Sequence, residues 1–252
     1  MEKHNTFEYL LRLGDNALIL SQRLSQLCGK GPAMEEDMAL TNVALDLLGQ
    51  TRLWYSYAAE LEGAGRDEDA LAFRRDAHEF RNCLLLEQPN GNYADTMVRQ
   101  FYFDTWHYFL IEGLTRSSDA RIAAIAEKSL KEVSYHLRRS GDLIVRLGDG
   151  TEFSHARTQA AAEALWMYSG EMFAYDALDQ TMVAAGVAPD GAELRRHWLA
   201  HVEAIFKEAT LTMPPADAWM QSGGKQGRHS EHLGYVLAEM QFLQRAYPGA
   251  TW

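Results

Sequence analysis

The chain has 252 residues, with 35 acidic against 24 basic side chains and a formal net charge of −11, a balance that disfavours non-specific binding to nucleic acid. Hydrophobic residues make up 47% and charged residues 23%, a globular composition far from that of disordered chains. The two cysteines, Cys28 and Cys83, form no CxxC pair, which points to a reducing cytoplasm rather than a disulfide framework. The first residues carry no basic-then-apolar signal pattern, and no apolar run of about 18 residues occurs, so neither export nor membrane spanning is expected.

Helical spacing dominates in chain order. From Thr6 to Cys28, residues Leu10, Leu13, Ala17, Leu20, Leu24 and Leu27 recur at steps of three and four and predict a first helix. Glu35, Glu36 and Asp37 suit the positive end of a second, carried by Leu40, Val43, Ala44, Leu47, Trp54, Ala58 and Leu61 to about Gly63. A third is predicted over 67–87, stopped by the turn-forming Pro89-Asn90-Gly91-Asn92, and a fourth over 93–116. A fifth, capped by Ser118 or Asp119, carries Ile122, Ala126, Val133, Leu137 and Ile144 and ends at Gly148-Asp149-Gly150. Residues 151–185 read as one long or broken helix. Asp190 and Glu193 resemble a capping box for a helix to about Leu211, stopped by Pro214-Pro215, and a last helix spans about 230–247.

Strand signals are almost absent. The expectation is an all-α chain forming one domain over 1–252, with an up-and-down four-helix bundle core over about 6–148 and additional C-terminal helices over about 151–252. The Gly-rich stretch Gln221–Arg228 follows no strand and lacks the GxxxxGK[ST] spacing, so a solvated loop is expected rather than a phosphate cradle.

A bundle of long helices with inward acids and histidines invites comparison with di-iron carboxylate proteins, which place one Glu on each of two helices and Glu-x-x-His on the other two. Helices of about 20 residues joined by a turn put facing positions roughly thirty residues apart. Four segments are informative together: Leu45-Asp46-Leu47-Leu48-Gly49-Gln50, Glu87-Gln88-Pro89-Asn90-Gly91, Lys131-Glu132-Val133-Ser134-Tyr135-His136 and Glu231-His232-Leu233-Gly234-Tyr235. They resemble the structural-subunit family of bacterial phenylacetyl-CoA 1,2-epoxidase complexes, over nearly the whole chain. The resemblance implies a ferritin-like fold and a chain without catalytic residues or cofactor of its own. It also implies a homologous catalytic subunit that holds the di-iron centre, and a reductase that relays NADPH electrons for dioxygen-dependent epoxidation of the aromatic ring of phenylacetyl-CoA.

The residues themselves are short of metal donors. Where Glu-x-x-His would stand, the chain has Leu47-Leu48-Gly49-Gln50 and Val133-Ser134-Tyr135-His136, with both glutamates aliphatic. Glu132 is turned by about 100° from Val133 and cannot replace it. The single-carboxylate positions fall near Asp15 and Asp104, both shorter than the glutamate of the template. Two ferrous ions would bring four positive charges into a low-dielectric core, at a cost of several kcal/mol or more per uncompensated ion. Asp15, Leu47, Gln50, Asp104, Val133 and His136 are therefore read as vestigial ligand positions, with no metal, catalytic or cofactor residue expected. The rival is an active ferritin-like metalloenzyme with unconventional ligands Asp15, Asp104, Glu132 and His136; a storage or binding protein is a third reading. As plain packing, Asp15 and Asp104 are surface acids and His136 a satisfied core histidine.

His197 and His201 share one helical face at the spacing of zinc proteases, but Trp198 stands where the general-base Glu would be. His229 and His232 flank Glu231 at a helix start, which suits capping or a partner contact. Neither cysteine has a His or basic residue directly beside it in sequence, so no activated thiolate is expected. Phe101 to Phe109 is aromatic nearly all round a helix and must bury more than one face, either as a central helix or against a partner chain with Trp106 and Tyr108 as anchors.

Overall fold

The computed structural model describes residues 2–250 of the chain. Its helices, in chain order, are α1 (Glu2–Ser25), α2 (Met34–Glu62), α3 (Glu68–Phe73), α4 (Leu84–Glu87), α5 (Tyr93–Leu114), α6 (Ala120–Gly148), α7 (Glu152–Trp166), α8 (Ala177–Ala184), α9 (Gly191–Glu208), α10 (Glu231–Met240) and α11 (Phe242–Ala246). Among the described residues there is no strand. None of these helices is long and apolar enough to cross a membrane. Contacts group the chain into two compact units, one running to Pro89 and resuming at Gly223, the other Asn90–Ser222. Each holds one pair of long helices, so the fold is all-α and ferritin-like, with α7 to α11 as the additional C-terminal helices.

In the first unit α1 and α2 form an antiparallel hairpin, because Ser21 Oγ donates to Ala44 O at 2.7 Å while Thr51 Oγ1 reaches back to Gly14 O at 3.4 Å. The predicted stripes meet there: Leu10, Leu20 and Leu24 on α1 and Leu40, Leu47 and Trp54 on α2 are all sealed from solvent, each such side chain contributing about 1.5–3 kcal/mol. The helix expected over 67–87 is instead broken into α3, a 3-10 turn (Ala77–Glu79) and α4. The reason is tertiary. The backbone N–H of Arg81 donates to Asp15 Oδ2 at 2.6 Å and that of Cys83 to Asn16 Oδ1 at 2.8 Å, so amides that a helix would use internally are satisfied by α1 side chains.

The Gly-rich stretch is a correction too: Gly223, Gly224 and Lys225 are buried rather than solvated. A Cβ on Gly224 or Gly227 would lie 2.1 Å from the carbonyl oxygen of Asn82 or His78, respectively. Glycine is needed there so that one backbone can lie directly on another. The last predicted helix is interrupted at Gln241, whose side-chain amide donates to Ala72 O and Arg75 O, both at 3.0 Å.

In the second unit α5 and α6 pair, and α7 and α9 pack against both. The added helices explain the aromatic run. Tyr102 meets Trp166, Trp198 and Phe206 at ring-centroid distances of 5.8, 5.6 and 6.1 Å, and Trp198 Nε1 donates to Tyr102 O at 2.8 Å. Phe101, Tyr102, Phe103 and Trp106 are buried and Tyr108 is half-buried. Helix α5 is thus a central helix of its unit, and Trp106 is not an exposed anchor.

Residues 151–185 are broken, with a 3-10 turn (Gly170–Phe173) between α7 and α8. Asp190 caps α9 by accepting from the Glu193 N–H at 2.9 Å, but Glu193 extends toward Arg196 at 3.6 Å instead of completing a capping box. That helix ends before Pro214-Pro215. Thr210 takes a left-handed φ of 57° and Leu211 N closes onto Phe206 O at 2.9 Å, a Schellman-type stop.

Candidate functional site

Asp15 lies on the buried face of α1 and is itself fully buried. Its Oδ1 accepts from the Tyr55 hydroxyl of α2 and from Arg75 Nη2; its Oδ2 accepts from Arg75 Nη1 at 3.1 Å and from the Arg81 N–H at 2.6 Å. Four donors fill the acceptor directions of the carboxylate. The rest of the Arg75 guanidinium is equally committed, to Leu71 O at 2.6 Å and Glu79 O at 3.0 Å, and it stacks 4.2 Å over the Phe80 ring. Burial would lower the Arg75 pKa, but the adjoining Asp15 charge overcomes this and raises it. Burial pushes the Tyr55 phenol up, so it stays a neutral donor. Asp15 is therefore a core acid paired with an internal cation rather than a surface acid.

The other vestigial positions in this unit supply little. Leu47 is fully buried and has no donor atom, and Gln50 is buried with an amide but is not among the hydrogen-bond partners of Asp15.

In the second unit Asp104 on α5 is also buried, and it faces His136 and Ser140 on α6. Gln100 Nε2 donates to Asp104 Oδ1 at 2.6 Å, whereas Oδ2 makes no hydrogen bond among the described residues. Burial pushes Asp104 up to about 6, against the opposing pull of His136 and of the donors Ser140 and Gln100. One turn along α5 lies His107, which neither the apolar stripes nor the ligand template singles out in the sequence. It is buried, and burial followed by the neighbouring His136 brings its pKa down to about 3. The signal that could have found it is an acid-x-x-His spacing, Asp104-Thr105-Trp106-His107. Val133 is buried and aliphatic beside buried His136, while Glu132 is only half-buried on the adjoining face.

The ferritin-like class implies a di-iron group in a bundle interior, and the residues present do not fit one. Two template positions lack any donor atom, one offers an amide, and Asp15 is saturated by a guanidinium, a phenol and a backbone amide. Among the described residues no group of three or more His, Cys, Asp or Glu is arranged to hold a metal ion.

A third polar cluster lies in the first unit around Glu87, which is fully buried on α4. Its carboxylate accepts from the Ser230 N–H at 2.6 Å and from Asn82 Nδ2 at 3.2 Å and lies 2.9 Å from His229 Nδ1; the other ring nitrogen of His229 lies 3.0 Å from Phe80 O. Glu87 thereby caps the start of α10, where a negative charge suits the helix end. Burial lowers the His229 pKa, but the hydrogen bond and charge of Glu87 overcome it and raise the value. The motif containing Glu87 was visible in the sequence; its partner 142 residues away was not.

The remaining candidates pack rather than converge. His197 and His201 flank the Phe109 ring at 5.3 and 6.4 Å, and burial lowers His201. Cys28 is exposed and Cys83 buried, both as free thiols.

The family model described as phenylacetic acid catabolic protein matches residues 1–252. One of the subunits of the 1,2-phenylacetyl-CoA epoxidase of Escherichia coli strain K12 is 52% identical over 244 residues, which cover 97% of this chain and 98% of that protein. A family match along the full sequence and a relative more than half identical over almost its whole length establish that the chain belongs to the phenylacetic acid catabolic protein family.

Proposed function

We propose that this chain is a non-catalytic scaffold subunit of a phenylacetyl-CoA epoxidase. It binds a homologous di-iron subunit and holds it in working shape, while a reductase supplies NADPH-derived electrons to that subunit for epoxidation of the phenylacetyl ring. The observation that carries the reading is the occupation of Asp15 by Arg75, Tyr55 and the Arg81 amide. A carboxylate whose charge is already balanced by an internal guanidinium has neither free lone pairs nor net charge to offer iron. Buried Leu47 and Val133 leave two further positions without a donor. The same facts weigh against an active enzyme built on Asp15, Asp104, Glu132 and His136, because Asp15 is committed and Glu132 is only half-buried. The Escherichia coli relative, itself one part of an epoxidase, supplies the substrate class and the expectation of further subunits.

The test is to purify the chain alone and together with the oxygenase subunit of the same complex. The scaffold reading expects sub-stoichiometric iron in the lone chain, a stable joint peak on size exclusion, and NADPH-dependent ring oxidation only when the oxygenase subunit is present. Stoichiometric iron, or turnover by this chain with a reductase alone, would overturn it.

A further inference from the structure

The outer face of α2 carries a stripe that the fold leaves uncovered. Met34, Met38, Leu45 and Leu48 are exposed, from 42% for Leu48 to 72% for Met34. With Thr41 and Arg52 they follow alternating steps of four and three, the spacing of a seam that receives another helix. From Met34 to Leu48 the stripe runs about 21 Å along the helix, and isolated exposed apolar residues would need no explanation, whereas an aligned row marks an interaction surface.

Gly49 is a second, independent sign. It lies in the interior of a 29-residue helix, exposed, and a Cβ there would meet nothing within 4 Å among the described residues. Glycine weakens an exposed helix interior, and no internal contact requires it here. A neighbouring backbone packed closely from outside would require it. Leu45, Leu48 and Gly49 all fall in the Leu45–Gln50 motif, whose buried members Leu47 and Gln50 leave these three unexplained.

Charge selects the occupant. Between Met34 and Gln50 there is no Lys, Arg or His, while Glu35, Asp37 and Asp46 flank the stripe, and Arg52 at its far end is paired with Glu68 at 3.2 Å. A second copy of this chain docked through the same face would set acid against acid; the complementary surface is an apolar helix edged with basic residues.

We infer that the Met34–Gly49 face of α2 is the surface on which the partner oxygenase subunit docks, through an amphipathic helix with a basic rim that packs closest at Gly49. The inference rests on the scaffold reading above, and its test separates the two. The wild-type chain and the variants Gly49→Gln, Leu45→Glu and Leu45→Met are each titrated with the purified oxygenase subunit at low and high salt, and the isolated chains are melted in parallel. Gly49→Gln is expected to melt at or above the wild-type temperature, since it favours the helix, yet to bind at least tenfold more weakly. Leu45→Glu is expected to bind at least tenfold more weakly and Leu45→Met within threefold of wild type, and wild-type binding is expected to weaken as salt rises. If wild type binds and both Gly49→Gln and Leu45→Glu bind as well as it does, the docking face is wrong while the scaffold reading stands. If wild type does not bind, both fall. If the lone wild-type chain self-associates and the variants abolish that instead, the occupant is a second copy and the inference is overturned.

Discussion

Arg75 and Asp15 form a two-pronged ion pair with both side chains sealed from solvent, at 2% and 0% side-chain exposure. The pair joins α1 to the segment between α3 and α4, and Tyr55 on α2 completes it. A bundle acid is thereby neutralised by the protein's own cation, and the same contact that removes Asp15 from metal chemistry ties three elements of the first unit together. Such a pair is worth little relative to well-packed apolar residues, but breaking one side of it is costly.

Asp15→Ala is accordingly expected to destabilise the chain by roughly 3–5 kcal/mol, because Arg75 would be left buried without its counter-charge. The double variant Asp15→Leu with Arg75→Met should recover part of that loss, since it removes the unpaired charge but leaves the Arg81 N–H and the Tyr55 hydroxyl without their acceptor. Denaturant titration of the two variants checks this; a double variant as unstable as Asp15→Ala would show that the charge pairing is not what matters.

Asp104 and His107 titrate with opposite effects on stability. Burial raises Asp104 to about 6, so its contribution is full below its ordinary value of 3.8 and is lost as pH rises through 6. Burial lowers His107 to about 3, so its contribution is full above 6.5 and is lost as pH falls toward 3. Between about pH 4 and 6 the two slopes offset each other. Asp104→Asn removes one of them, so the stability difference between variant and wild type should change by about 1.4 kcal/mol per pH unit in that window, the variant being relatively more stable at the higher pH. Denaturation at a series of pH values reads this directly, and parallel curves would contradict it.

His229 has an oxygen acceptor at each ring nitrogen, the Glu87 carboxylate and Phe80 O, an arrangement that favours the doubly protonated ring. Its pKa is raised, so the stabilisation is fully present below 6.5 and is lost as pH rises through the raised value. Amide exchange in α10, corrected for intrinsic rates, is expected to speed up relative to α1 over that rise. In His229→Gln it should be faster at the outset and should lack the pH step.

Gly224→Ala is expected to cost roughly 1–3 kcal/mol, since its Cβ would collide with the Asn82 carbonyl. Gly234→Ala, where a Cβ meets nothing within 4 Å, should be neutral or stabilising by up to about 1 kcal/mol. Melting temperatures that ranked the two variants in the opposite order would refute the buried placement of the Gly223–Lys225 segment.

The long helices were legible in the sequence because burial of one face repeats every three to four residues, as in the Leu10–Leu24 stripe of α1 and the Ile122–Ile144 stripe of α6, and that periodicity is written locally. The missing donors at Leu47 and Val133 were legible for the same reason, since an aliphatic side chain has no lone pair in any fold. What only the tertiary structure decided was where charges and backbone amides find their partners. The capture of Arg81 and Cys83 N–H by Asp15 and Asn16 broke the helix expected over 67–87, and α7 and α9 turned the aromatic run of α5 into a buried centre. The backbone contacts of Gly224 and Gly227 with Asn82 and His78 turned an expected solvated loop into a packed one. Periodicity records which side of a segment avoids water; it carries no record of which distant atom will satisfy a given hydrogen bond, and Asp15 with Arg75 and Glu87 with His229 lie 60 and 142 residues apart.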